Sequence, residues 1–293
     1  MGEPARNLPI AWDDGTDDDE SDGPLLQRWI DHPDGRVEFV ERPLTPEDFL
    51  NAQLEDKVSQ GKRHARFRRR IADLLERHFG PAAHVLEDVL HELGPDLPSP
   101  SPDVSVVLGE DAGYGDEDSF SVAKEGVRPA LILEIVSPSK RSIRDVDEVA
   151  KVEVYSLAGV PEYLLVDLPR RGNGYRLGLK GYRLGADGRY CPIEPDAQGR
   201  LLCKETRLRF FISPGGNRIE VIDDVTGLPL LYSEDEEAQR KAEKVARQAA
   251  EADREAEKVA RQAAEAGLRT YEAESARLRA EIERLRRQAR HES

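Results

Sequence analysis

From Glu234 onward the chain contains no proline and is dominated by Ala, Glu, Lys, Arg and Gln. Within this stretch the segment Ala242-Glu243-Lys244-Val245-Ala246-Arg247-Gln248-Ala249-Ala250-Glu251-Ala252 recurs at Ala256 to Ala266, a shift of two heptads. So little apolar side-chain volume cannot fill a core, and strong helix formers without a breaker leave a long helix as the regular structure open to it. Ala242, Val245, Ala249, Ala252, Ala256, Val259, Ala263 and Ala266 alternate steps of three and four, the spacing of a coiled-coil seam. Near Gly267 the register slips, and Leu268, Tyr271, Leu278, Ile282 and Leu285 carry a second, more apolar seam. The expectation over residues 234–293 is a coiled-coil helix that pairs with a second copy, giving a dimer, or with a partner helix. A solvated single helix held by Glu to Lys or Arg pairs is the alternative.

Removing that helix leaves one domain's worth of chain. The 293 residues are 38% apolar and 34% charged, with a formal net charge of −15. A chain this acidic is repelled by a phosphate backbone unless its basic residues cluster or metal ions bridge the two, which counts against nonspecific nucleic-acid binding by the molecule as a whole. Cys191 and Cys203 have no zinc-site spacing and read as reduced thiols. The first residues are polar, and no apolar run approaches the roughly 20 residues of a membrane span, so a cytoplasmic protein without a membrane partner is expected. Residues 1–24 carry Asp13-Asp14-Gly15-Thr16-Asp17-Asp18-Asp19-Glu20 and read as a disordered acidic tail. Residues 25–233 are then the folded domain.

Thr45-Pro46-Glu47-Asp48 supplies an N-cap, a first-turn proline and two acids, so a helix is predicted there. A second helix follows Gly61, with Phe67, Ile71, Leu74, Leu75 and Phe79 at helical spacing and Gly80-Pro81 as its stop. Its Lys62, Arg63, Arg66, Arg68, Arg69 and Arg70 either face phosphates or form a solvated surface. From Val85 onward short apolar runs read as strands: Val104 to Leu108, Ala130 to Val136, Tyr163 to Val166, Tyr182 to Leu184 and Leu208 to Ile212. A helix is predicted over Asp145 to Ala158 from Val149, Val152 and Tyr155, with Gly159 ending it. Strands, a helix and a further strand describe a mixed α/β sheet with a crossover. Gly172 to Gly174 and Gly185 to Gly188 lack the setting of a phosphate loop and read as turns.

The chemistry-bearing constellation is Pro102-Asp103, Glu134 and Lys151. Glu134 interrupts the apolar run Leu131-Ile132-Leu133 and Ile135-Val136, and a carboxylate in a buried strand requires a partner or a metal. Two carboxylates on neighbouring strands can share a hard cation such as magnesium. An ion pair at the sheet edge is the competing explanation. Ser137 and Ser139 sit in no nucleophile elbow and read as loop or capping residues.

Pro102-Asp103-Val104, Leu133-Glu134-Ile135-Val136-Ser137-Pro138-Ser139, Asp147 to Lys151, Tyr155 and Gly159-Val160-Pro161-Glu162-Tyr163-Leu164-Leu165-Val166-Asp167 occur in the order and spacing of one bacterial family. From about Arg36 to Ile222 the chain resembles the Uma-two family of restriction-endonuclease-like proteins, a branch of the PD-(D/E)XK nucleases. The resemblance implies a central mixed sheet flanked by helices and an endonuclease that uses Mg2+ or Mn2+ to hydrolyse phosphodiester bonds, with DNA as substrate. Asp103 and Glu134 become metal-binding and catalytic carboxylates. The superfamily's usual lysine two residues after the glutamate is here Val136, whose backbone carbonyl could reach the ion, and Lys151 becomes the matching catalytic lysine. His64 and Tyr155 are accessory candidates, and Lys62, Arg63, Arg66, Arg69 and Arg70 are candidates for nucleic-acid contact. The alternative is a catalytically inactive nuclease fold that serves as a scaffold and associates through its coiled coil.

Overall fold

The computed structural model describes residues 25–54, 56–58, 61–109, 119–136, 144–168 and 176–291. The acidic tail, Ser137, Ser139 and the Gly172–Gly174 turn lie outside the described residues. The chain divides into two units, one ending at Tyr232 and one beginning at Ser233. In chain order the first contains β1 (Leu25–Asp31), β2 (Val37–Pro43), α1 (Pro46–Leu50), β3 (Lys57–Val58), α2 (Lys62–Phe79), β4 (Ala83–Glu87), β5 (Leu90–Glu92) and β6 (Val104–Leu108). Next come β7 (Ser119–Ser121), α3 (Val122–Glu125), β8 (Leu131–Val136), a π turn (Val146–Ala150) that runs into α4 (Lys151–Leu157), and β9 (Glu162–Asp167). It closes with β10 (Gly178–Leu184), β11 (Tyr190–Pro192), β12 (Leu201–Cys203), β13 (Leu208–Ile212) and β14 (Ile219–Asp223). The second unit is one helix, α5 (Ser233–His291).

The central sheet has six strands in the order β11-β10-β9-β8-β6-β4. Its β8–β9 pair is parallel and the rest are antiparallel, the mixed sheet expected from sequence. The parallel pair requires a crossover, and the π turn with α4 supplies it. Alternation along β8 divides the core. Leu131, Leu133 and Ile135 pack with α2 and with the small sheet β12-β13-β14. Ile132 and Val136 pack with Val146, Ala150 and Tyr155 of the crossover and Leu50 of α1.

Local signals explain the helices. Thr45 closes a capping box with Asp48, accepting its N–H at 3.2 Å, and Pro46 occupies the first turn of α1. Helix α2 buries Ile71, Leu74 and Leu75 and ends at Gly80, whose positive φ of 51° a glycine adopts at little cost. The crossover departs from expectation: Val149 is exposed, and Val146, Ala150 and Val154 are buried instead. These three lie four residues apart, and the widened π turn keeps that spacing on one face, whereas a three-residue spacing drifts round the helix. The hairpin β1–β2, paired in register with Trp29 opposite Phe39, was not anticipated.

Candidate active site

Glu134 sits mid-strand in β8, where all six residues are buried. Its strand neighbours on the same face, Ile132 and Val136, look toward the crossover, and so does its carboxylate. Lys151 Nζ donates to Glu134 Oε1 at 2.8 Å and Tyr155 Oη donates to the same oxygen at 2.9 Å. Lys151 and Tyr155 stand one turn apart on α4, so one helical face presents both groups to one acceptor.

Asp103 precedes β6, and its side chain takes over where strand pairing stops. The β6–β8 register ends at Val104 opposite Leu133. Beyond it Asp103 Oδ2 accepts the Ile135 N–H at 2.8 Å, and the Asp103 N–H donates to Glu134 Oε2 at 3.2 Å. The two carboxylates are thereby cross-locked through each other's strands. His64 Nε2 lies 2.6 Å from Asp103 Oδ1, and Arg68, one turn further along α2, places Nη1 3.8 Å from the same oxygen. Arg68 also reaches Asp88 Oδ2 at 2.8 Å, where a positive φ of 57° turns the chain between β4 and β5.

The Lys151 ammonium is fully buried. Besides Glu134 it has Asp147 Oδ1 at 2.9 Å and the Phe49 ring of α1 at 4.1 Å to the centroid. Asp88, Asp103, Glu134 and Asp147 crowd round Arg68, Lys151 and His64, and carboxylates this close resist ionising together. The titration behaviour follows from that. Burial pushes Glu134 up to about 8 despite the pull of Lys151, and burial likewise raises Asp147 and Asp88. Asp103, although buried, is held below the usual carboxylate range by His64 and the Ile135 N–H. Lys151 is desolvated, yet its two carboxylates hold it in the charged form. His64, Asp88, Asp103 and Glu134 line a cavity of about 270 Å³.

The chain matches the Uma2 family, described as "Putative restriction endonuclease", over residues 26–212. That span runs from the second residue of β1 to the end of β13. The chain belongs to the Uma2 family. This is the family its motifs resemble, and membership makes it a nuclease-family protein. It is also similar to a crystal structure described as that of "a putative nuclease belonging to DUF820" from Anabaena variabilis, at 14% identity, covering 67% of this chain and 76% of that one, with a TM-score of 0.29. No curated protein matches the chain.

Of the Uma2 residues singled out from sequence, Asp103, Glu134, Lys151, Tyr155 and His64 converge on this one cluster. Val136 does not join it. Its carbonyl accepts the Leu168 N–H at 2.9 Å on the β9 side of the strand. The main-chain group that faces Asp103 belongs to Ile135, because successive residues of a strand alternate their polar groups between its two edges. The basic residues of α2 also divide. Lys62 and Arg66 are exposed and Arg63 half-buried. Arg69 bonds to Glu87 at 2.9 Å, and Arg70 lies over the Tyr232 ring at 4.7 Å. Asp88 and Phe49 were missed, while Asp147 was noted only within its motif and Arg68 only among the basic residues of α2. Asp147 alone had a signal, its four-residue spacing from Lys151.

Proposed function

We propose that the protein is a divalent-cation-dependent endonuclease that hydrolyses phosphodiester bonds in DNA. The observation that carries this reading is a pair of cross-locked carboxylates, Asp103 and Glu134, on adjacent strands of a shared cavity, with the Lys151 ammonium 2.8 Å from one of them.

The donor set fits a magnesium-class ion. Among the described residues no three His, Cys, Asp or Glu side chains close around a point as a complete ligand cage. Magnesium rarely asks for one, since it binds through one or two carboxylates and completes its shell with water and phosphate oxygens. Each carboxylate oxygen has more than one lone pair. Asp103 and Glu134 therefore keep acceptor capacity beyond their protein partners, and a cation held there would favour their ionised forms. When bound, such an ion supplies Lewis acidity to the phosphoryl group and acidifies water. The Ile135 carbonyl, on the same strand edge as the N–H that Asp103 holds, is the main-chain group best placed to assist.

The protein's own groups do the rest. Acting through Glu134, the buried Lys151 ammonium offsets the charge that builds at phosphorus. Its position between Glu134 and Asp147 supplies the ammonium that Val136 cannot, which weakens the scaffold reading. Tyr155 fixes the Glu134 carboxylate, and His64 fixes Asp103. Lys62, Arg63 and Arg66 at the start of α2 contact the backbone of the bound strand. The helix α5 pairs two copies through Val245, Val259, Leu278 and Ile282, all more than half-exposed or close to it.

Cleavage of labelled DNA with magnesium, manganese or chelator tests this. Wild-type protein should cut only with the ion, and Glu134→Ala and Asp103→Ala should each lose roughly 10²-fold or more while remaining folded. Cutting at wild-type rate by either variant would remove the site.

A further inference from the structure

The cavity that holds Asp103 and Glu134 has a second wall, and the chemistry above makes no use of it. Residues 48–54 and 56–58 supply this wall, with Phe49, Leu54 and Val58 as its apolar part and Asp48 and Asp56 as the acids that anchor it. It is fixed in place. Arg28 grips the Asp56 carboxylate with Nε at 2.5 Å and Nη2 at 2.8 Å, and Arg42 grips Asp48 with Nη1 at 2.5 Å and Nη2 at 2.6 Å. Two-pronged arginine–carboxylate contacts of this kind fix orientation as well as distance. Strand β3 adds a third attachment by pairing Val58 with Leu26 of β1. From the opposite side, Phe49 meets the Lys151 ammonium, so the wall abuts the carboxylate cluster itself.

This wall limits what can approach the carboxylates. The cavity, about 270 Å³ and partly open to solvent, falls just below the roughly 300–1,000 Å³ of ordinary ligand pockets. That is room for a nucleotide unit and not for a base pair with two backbones. On the facing wall Arg42 and Arg28 already neutralise Asp48 and Asp56, so the wall confines a strand by its shape and not by its charge. Phe49, Leu54, Val58 and Leu90 present apolar surface of the kind that shelters an unstacked base.

Building on the nuclease reading, we infer that this site takes its scissile phosphate on an unpaired nucleotide: single-stranded DNA, a frayed end or a flap, and not the interior of an intact duplex.

Two readouts on the full chain separate this inference from the reading beneath it. In the first, fluorescence anisotropy of Glu134→Gln protein in magnesium compares a labelled single strand with the same strand in a perfect duplex. The single strand should bind about tenfold tighter or more, the scale set by one sheltered base. In the second, wild-type protein is given the single strand, the duplex and a flapped duplex, and cleavage should be confined to unpaired nucleotides. Equal binding and equal cutting of the perfect duplex would overturn the inference and leave the nuclease intact. Single-strand preference in binding with no cutting of any substrate would overturn the nuclease reading and keep the substrate class. Leu54→Trp is a further check, because Leu54 is an exposed wall residue whose enlargement narrows the cavity without touching the core. Single-strand cutting should fall about tenfold at unchanged melting temperature; an unchanged rate counts against the wall.

Discussion

Asp147 with Lys151 in the site and Arg247 with Glu251 on α5 are the same kind of pair: opposite charges four residues apart, 2.9 Å and 3.0 Å from contact atom to contact atom. Their surroundings differ completely. The side chains of the first pair are 6% and 0% exposed, and those of the second 82% and 59%. In water such a pair replaces hydration with a contact of nearly equal worth, so little is gained by forming it or lost by breaking it. In the interior each charge has given up its hydration and depends on its partner. Identical spacing therefore yields a structural keystone in one unit and solvated decoration in the other.

The most severe way to break this contrast is Lys151→Met. It preserves volume but strands Glu134 and Asp147 as buried carboxylates without their cation. Removing one partner of a buried pair costs about 3–5 kcal/mol, and that loss should appear in urea unfolding together with loss of cleavage. Part of it should return at low pH, where the two carboxyls take up protons. A loss below about 1 kcal/mol would mean that solvent reaches the cluster after all.

A neutral buried group sharpens the comparison. His91 lies wholly inside, with Nδ1 2.7 Å from the Val89 carbonyl and Nε2 2.8 Å from Ser105 Oγ, so one ring nitrogen donates and the other accepts. Burial lowers its pKa to about 4. The unfolded chain takes up this proton as pH falls below about 6.5, whereas the folded protein resists until about 4. The stability it contributes is therefore whole above 6.5 and is lost progressively between 6.5 and 4, by about 3 kcal/mol. His91→Gln should flatten that part of the stability profile. An equal slope in the variant would assign it to other groups.

How much of this was legible depended on whether a residue's neighbours in sequence were also its neighbours in space. Glu134 announced itself by interrupting an apolar strand, and Lys151 with Tyr155 by a four-residue spacing that a helix turns into one face. Asp103 became legible through its motif. The inward turn of Arg68 had no such marker, because five other basic residues surround it between Lys62 and Arg70 and a contact 20 residues away, with Asp88, selects it. Phe49 reaches Lys151 from a helix 102 positions earlier, and nothing in the composition of α1 predicts that. The hairpin β1–β2 was obscured by its charge. Asp31, Glu38 and Glu41 break the apolar alternation, while Trp29 and Phe39 pair on an exposed face. The π turn has no sequence marker, and its presence is why the expected stripe through Val149 was the wrong one.

On α5 the apolar residues, and not the charges, are expected to matter. Leu278→Glu with Ile282→Glu places acid on the second seam, where both side chains are half-exposed in the single chain. If the helix pairs copies, sedimentation of the full chain should shift from dimer toward monomer while the melting of the unit ending at Tyr232 stays put. A monomer before and after would end the pairing proposal. A dimer before and after would move the interface elsewhere.

The smallest effect is the most diagnostic of the opening contrast. Arg247→Ala removes one member of the exposed pair while adding the best helix former, so the lost contact, about 0.3–0.5 kcal/mol, is set against a small gain in propensity. The net change in stability should fall within about 0.5 kcal/mol of zero and shrink further in 1 M salt, where screening acts within roughly 3 Å. Arg261→Ala, at the equivalent place in the repeated segment and paired with Glu265 at 3.1 Å, should behave the same way. A loss of 2 kcal/mol or more at either position, by the scale of buried pairs, would show that the arginine is covered in the assembled protein. Its side would then be the face through which α5 meets its partner, and the seam would have to be redrawn around it.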